Sequence, residues 1–310
     1  MSLFIPFAPR PAFRPAGILA ALGLLLAGIA PAAESVLLSN ATVHTVSGET
    51  FRPGHVLVRD GKIVSVTATA PAGAGRAIDL NGLHLFPGLV DAATILGLNE
   101  IQAVRATVDN REVGDFTPEV ESWVSVNPDS ELIPVARANG ITHVHVVPSG
   151  GVVSGQGSVI RLAGWTIEDL AVEPRAGLEV FWPSQALNTS PGNKKSLKDQ
   201  DRERREAVRA LDAFFDEADA YARGRAAGTA ALVPAWEAML PYIRGEKPLF
   251  IHADELREIR SALDWVKRRS LRAVVIGGRD AWLLAADLAA ANVPVVYDAV
   301  FALPARDHDP

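Results

Sequence analysis

Residues 81–100 read NGLHLFPGLVDAATILGLNE, and the fold class turns on this stretch. A short apolar run ends at Phe86, Pro87 and Gly88 interrupt it, and Leu89 and Val90 resume it before the carboxylate of Asp91. Proline followed by glycine is strong local punctuation, because one lacks a backbone donor and the other tolerates positive φ. The rest of the chain reads as support for this element.

Upstream, residues 36–86 hold short β-branched runs with turns between them. These are VLLSNATVHTV, a turn at Ser47 and Gly48, HVLVRDGKIVSV, a loop rich in Ala, Gly and Pro, then AIDL and LHLF. Asp60 and Gly61 lie between two alternating runs and both tolerate positive φ, which predicts a two-residue hairpin. A small β domain over 34–84 is expected.

Downstream, a polar stretch without sustained period runs to Pro128. Loops longer than about 15 residues are uncommon in compact domains and usually functional. A helix capped by Asp129 or Ser130 is predicted to about Asn139, ended by Gly140. Strands follow at 141–147, stopped by PSGG, and at 177–182. An amphipathic helix over 197–225 carries Val208, Leu211, Phe215, Ala218 and Ala222 at helical spacing, and its charges form a solvated face. The last part alternates: strand 249–252, helix 255–269, strand 271–276, helix 280–291, strand 293–297. Apolar strands separated by such helices specify βαβ units around a parallel sheet. The strands near Leu85 and at 141, 177, 249, 271 and 293 fall short of the eight that close a barrel.

Composition narrows the function. With 310 residues and 48% hydrophobic content the chain can bury a barrel and a small satellite domain. A net charge of -6 and scattered basic residues give no footprint for nucleic acid. The absence of cysteine excludes disulfides, thiolate catalysis and Cys-based zinc sites. Arg10 and Arg14 precede an apolar run over 16–30, closed by Pro31, Ala32 and Ala33, which reads as a secretory signal peptide over 1–33. That run is shorter than the roughly 20 residues that span a bilayer. The mature protein is therefore expected to be exported, periplasmic or secreted, with no stable membrane span after cleavage.

Residues 83–91 resemble the first barrel strand of the amidohydrolase superfamily, where P-G-L-(V/I)-D-A-H-x-H delivers two imidazoles to a metal. Here Ala93 and Ile95 stand at the two histidine positions. Three further motifs resemble an exported, imidazolonepropionase-like branch that lacks the H-x-H: V-V-P-S-G-G followed by S-G-Q, D-A-x-T-x-L-G-L-x-E-I, and N-P-D-S-E-L-I-P. The resemblance covers essentially 36–310. It implies an α/β fold: an incomplete TIM-type (β/α) barrel over 85–310 with a small N-terminal β-sandwich half-domain over 34–84. Family members continue past the position of Pro310, so a fragment with an open barrel is expected.

The resemblance also implies a chemistry. A divalent metal such as zinc lowers the pKa of bound water and polarises a carbonyl while an aspartate moves the proton. His252, in PLFIHADELREI, resembles the third imidazole ligand, although a lone histidine at a strand end is commonly a hydrogen-bonded structural residue. Gly277 takes the place of the fourth, and the metal-binding aspartate would follow Pro310. Asp91 is a metal ligand or base on one reading and a turn cap on the other; Thr94 and Glu100 stay near the same strand end. His143 and His145 share a strand face but lie deeper than the strand ends where such barrels place catalysis. The stretch 148–159, PSGGVVSGQGSV, reads as a glycine-rich loop whose backbone donors, with Ser149, Gly150, Gly151, Ser154 and Gln156, would bind a small polar or anionic molecule. Two functions remain open: a hydrolase of non-peptide C–N bonds with an altered metal site, or a catalytically silent binding or scaffold relative. By ligand count, the chain alone is expected not to hydrolyse.

Overall fold

The computed structural model describes residues 35–73, 75–298, 300, 301 and 303; the expected signal peptide and the last residues of the chain lie outside them. Two compact units divide between Pro87 and Gly88.

In the first, β1 (Ser35–His44), β2 (Thr50–Arg59), β3 (Lys62–Thr67), β4 (Arg76–Asp79) and β5 (His84–Leu85) form one five-stranded sheet in the order β3-β2-β1-β4, with β5 also paired to β1. Asp60 and Gly61 turn β2 into β3 at φ 51° and 72°, the conformation a two-residue hairpin demands. Ala41, Val43 and Val56 are its buried centre.

The second unit carries β6 (Leu89–Thr94), β7 (Ile141–Val146), β8 (Val153–Arg161), β9 (Ala171–Phe181), β10 (Leu249–Ala253), β11 (Ala273–Gly277) and β12 (Val295–Tyr297). They pair in chain order into a seven-stranded, barrel-like sheet. Besides a single helical turn at Ile167–Leu170, its helices are α1 (Leu132–Ala138), α2 (Leu197–Ala226), α3 (Pro234–Ile243), α4 (Leu256–Arg269) and α5 (Ala285–Ala290). Leu211, Phe215 and Ala218 of α2 and Ile259, Leu263 and Trp265 of α4 are buried with Leu178, Val180, Leu249, Ile251 and Val275 of the strands. The period of 3.6 on the helices thus meets the period of two on the sheet. Trp265 Nε1 donates to Asp212 Oδ1 at 2.8 Å, joining α4 to α2.

One element departs from the sequence expectation. All strands run the same way except β8, which is antiparallel to both β7 and β9. The stretch 148–159 is therefore a short loop followed by a central strand, and Ser154 and Gln156 belong to the strand. Its glycines serve close approach. A Cβ on Gly155 would stand 2.7 Å from the carbonyl oxygen of Val120, and one on Gly157 would stand 2.2 Å from Glu179 Oε1. Glycine inside a strand marks a site where something else comes near, and without the neighbours in view it reads as a loop.

The long polar segment before α1 supplies one of those neighbours. Thr117 N–H donates to Val153 O at 2.8 Å and Gln156 N–H to Val120 O at 2.7 Å, so the segment runs alongside β8 and satisfies its backbone. Ser122 Oγ donates to Val146 O at 2.8 Å. Because Phe215 has no exposed surface and stacks edge-on against Trp265 at 4.8 Å, Phe215→Ala is expected to destabilise the second unit by about 3–5 kcal/mol, read from urea denaturation curves with an unchanged m-value.

Candidate active site

Side chains alternate along a strand. On β10, Leu249, Ile251 and Ala253 face the helices, which turns Phe250 and His252 to the opposite side. On β9, Leu178 and Val180 do the same and turn Glu179 there. His145 reaches that side from β7, alternating with Val144 and Val146 of the neighbouring core. Three strands thus bring one carboxylate and two imidazoles together.

Glu179 has no exposed surface. His252 Nε2 lies 2.8 Å from Glu179 Oε2 in a hydrogen bond, and His145 Nε2 lies 3.2 Å from Oε1. The second approach is oblique: it has an ion-pair distance, yet neither atom completes a well-aimed hydrogen bond. His145 Nδ1 is 3.1 Å from the carbonyl oxygen of Ala92. Both nitrogens of His145 therefore face acceptors that cannot donate, surroundings that favour the doubly protonated ring. Its pKa agrees. Burial pushes it down, but the contact with the Glu179 carboxylate, its charge and the Ala92 carbonyl together raise it above the ordinary 6.5. Asp91 adds a smaller attraction.

His252 is different. Its Nε2 is taken up by Glu179, and its Nδ1 has no hydrogen-bond partner among the described residues. Phe181 stacks on this ring at 4.0 Å and 5° and holds its plane, while Phe250 lies 4.5 Å from His145. The arrangement is a buried carboxylate between two imidazoles, one of which, His252, leaves Nδ1 without a partner among the described residues.

The other expected site residues are placed as follows. Asp91 Oδ1 accepts the Ala93 N–H at 3.2 Å, which is the turn-capping role. His143 Nδ1 pairs with Thr142 Oγ1 at 3.0 Å. Ser149 gives its N–H and its hydroxyl to Asn110 O, at 2.7 and 3.3 Å. Gly150 packs on Arg111 and Gly151 on Gly114 and Asp115. Ser154 and Gln156 are 1% and 2% exposed, which corrects their expected place in a ligand-binding loop. Gln156 Oε1 accepts the Tyr242 hydroxyl at 2.8 Å on the helix side of the sheet. Gly277 stands at φ +92°, where a Cβ would meet Asp254 Oδ1 at 2.7 Å, so the backbone there is built for glycine.

Glu179 is the residue that sequence reasoning passed over. Its signal was present in GLEVFW: an acid inside an apolar run is rarely buried unless paired.

The expected metal set does not fit these residues. Among the described residues no group of three His, Asp or Glu is arranged to hold a metal ion. A metal ligand must be a neutral imidazole, whereas the surroundings of His145 raise its pKa and the Nε2 of His252 is hydrogen-bonded to Glu179.

The chain is similar to an amidohydrolase from Thermotoga maritima MSB8. That solved structure superposes with a TM-score of 0.77 at 26% sequence identity, over 87% of this chain and 72% of that one. A prolidase complexed with N-methylphosphonate-L-proline is more distant, with a TM-score of 0.44 at 15% identity over 87% of this chain and 70% of that one, too low to bear on the site. No family description matches the chain, and no curated protein matches its sequence. The likeness to the Thermotoga amidohydrolase supports an amidohydrolase-like α/β fold.

Two outcomes follow from this geometry. A raised histidine pKa stabilises the fold below the unfolded value and ceases to do so as pH rises through the folded value. Unfolding free energy is therefore expected to fall as pH climbs from about 6.5 through the elevated pKa of His145, and His145→Gln should flatten that slope in urea titrations. Gly157→Ala should cost about 1–3 kcal/mol through overpacking against Glu179 and His145, seen as a lowered denaturation midpoint.

Proposed function

We propose that this protein is an exported, amidohydrolase-like hydrolase of non-peptide C–N bonds, with His252 as general base and Glu179 as the residue that positions it. One observation carries the reading: a fully buried carboxylate holds the Nε2–H of a partly exposed imidazole and leaves its Nδ1 as the base. An orienting carboxylate that sets the tautomer of a catalytic histidine is a recurring device of hydrolysis.

In this scheme Nδ1 of His252 removes a proton from water as the oxygen attacks the carbonyl carbon of the substrate. The same proton passes from Nδ1 to the leaving nitrogen as the C–N bond breaks. Glu179 keeps hold of the Nε2 side of His252 throughout, with His145 3.2 Å from its other oxygen. The missing H-x-H argues against the usual metal route, and this one draws no step from a metal. The charged and apolar segments of residues 1–33 support export.

A second reading, a binding relative without turnover, is favoured by Ala93 and Ile95, which stand where the resembled family has two metal-binding histidines. Amine release from a panel of N-acyl amines and cyclic amides separates the two. His252→Ala is expected to lower kcat/KM by about a hundredfold. Glu179→Gln should do likewise and change the pH profile of kcat/KM, which a residue of purely structural importance would leave unchanged. Absence of amine release from every substrate by the folded wild-type chain would sink the hydrolase reading.

A further inference from the structure

We infer that His44 and His84 chelate a divalent transition-metal ion, copper(II) above others, across β1 and β5 of the small β unit. The strand pairing brings the two rings together. β5 lies parallel to β1 with Thr42 opposite His84 and Val43 opposite Leu85, and the same register carried one step further sets His44 level with Phe86. His44 Nε2 lies 2.9 Å from His84 Nδ1. The Phe86 ring stacks on His44 with centroids 4.3 Å apart and planes 3° from parallel, which holds the plane of that imidazole. His44 is half-buried and His84 exposed, so the pair is open to ions from solvent.

The pair differs from the other described histidines in what it touches. His55 Nδ1 accepts the backbone N–H of Asn40 at 3.4 Å, His143 pairs with Thr142, and His145 and His252 meet Glu179. Among the described residues only His44 and His84 face each other, and neither has a further hydrogen-bond or ion-pair partner. One of the two facing nitrogens carries the proton of their hydrogen bond. When that ring is protonated at its outer nitrogen instead, both facing nitrogens offer lone pairs, and a cation takes the place of the proton. No partner of the outer nitrogens, His44 Nδ1 and His84 Nε2, opposes this change of tautomer.

The spacing selects the metal. Ligand nitrogens about 2.0–2.1 Å from an ion stand about 2.9 Å apart at a right angle and wider apart at a tetrahedral one. The observed 2.9 Å suits the square or tetragonal coordination of copper(II) and nickel better than tetrahedral zinc. Copper(II) is also the most tightly bound of the divalent first-row ions, whereas magnesium and calcium take oxygen ligands. Water completes the coordination, because no third His, Asp or Glu joins the pair among the described residues. The bound ion ties β5, a strand of two residues, to β1, a strand of ten. Both rings stand on or beside paired strands rather than on a long loop, so little ordering is needed to form the chelate.

Isothermal titration of the full chain with copper(II) and with magnesium tests the site. The wild type is expected to bind a copper ion that His252→Ala still binds, and not to bind magnesium. His44→Gln and His84→Gln should each weaken copper binding by about tenfold or more, and the double variant little further, because neither imidazole chelates alone. Circular dichroism checks that each variant is folded. Neither substitution should alter amine release, so the chelate and the hydrolase reading stand or fall separately. Copper affinity that both single variants keep at the wild-type value, or a copper site lost only in His252→Ala, overturns the chelate.

Discussion

A carboxylate with no exposed surface must be compensated where it sits, because taking a charge out of water costs several kcal/mol even after relaxation. Glu179 meets that demand through two histidines from two other strands. The demand sets the geometry around it. His145 turns one nitrogen to Glu179, and the carbonyl of Ala92 on β6 faces the other at 3.1 Å. The space above β8 must be clear, so Gly157 has no side chain. The packed aromatic rings of Phe181 and Phe250 fix the planes of the imidazoles. The site is held by electrostatics on one face of a sheet whose other face is held by apolar packing.

The two faces divide the work. Towards the helices, Leu178, Val180, Leu249 and Ile251 build the core that supplies stability. Away from them, the alternate positions carry the polar groups, and a shift of one residue in the register of β9 against β10 would bury Val180 among imidazoles and turn Glu179 into the apolar core. The observed pairing of Phe250 with Glu179 and of His252 with Phe181 makes the cluster possible. Thus the hydrophobic pattern that selects the register also positions the chemistry.

Much of the fold was legible in the chain because its signals are local. Asp60 and Gly61 need only their own φ tolerance to make a hairpin, and Leu211, Phe215 and Ala218 need only helical spacing to mark a buried face. The alternation after residue 249 gave β10, α4 and β11 nearly at their observed ends, while the expected helix over 280–291 divides into a 3-10 turn at Ala281–Leu284 and α5. The site was less legible. In the sequence His252 resembles a metal ligand, and the structure gives it a carboxylate partner. Ser154 and Gln156 read as loop residues in the sequence, since glycines at 155 and 157 look the same whether they provide a turn or clearance for a neighbour.

The sequence by itself therefore determined the alternation of strands and helices and the small β unit that precedes them. Tertiary structure alone decided that residues 153–161 form an antiparallel strand between two parallel ones, and that Glu179 lies between His145 and His252. The physical reason is separation along the chain. His145 and His252 stand on either side of Glu179, on different strands, and no period or propensity within one element encodes a distance to another. Only when the apolar faces pack against the helices do the remaining faces meet, and the charge of Glu179 then acquires both its partners.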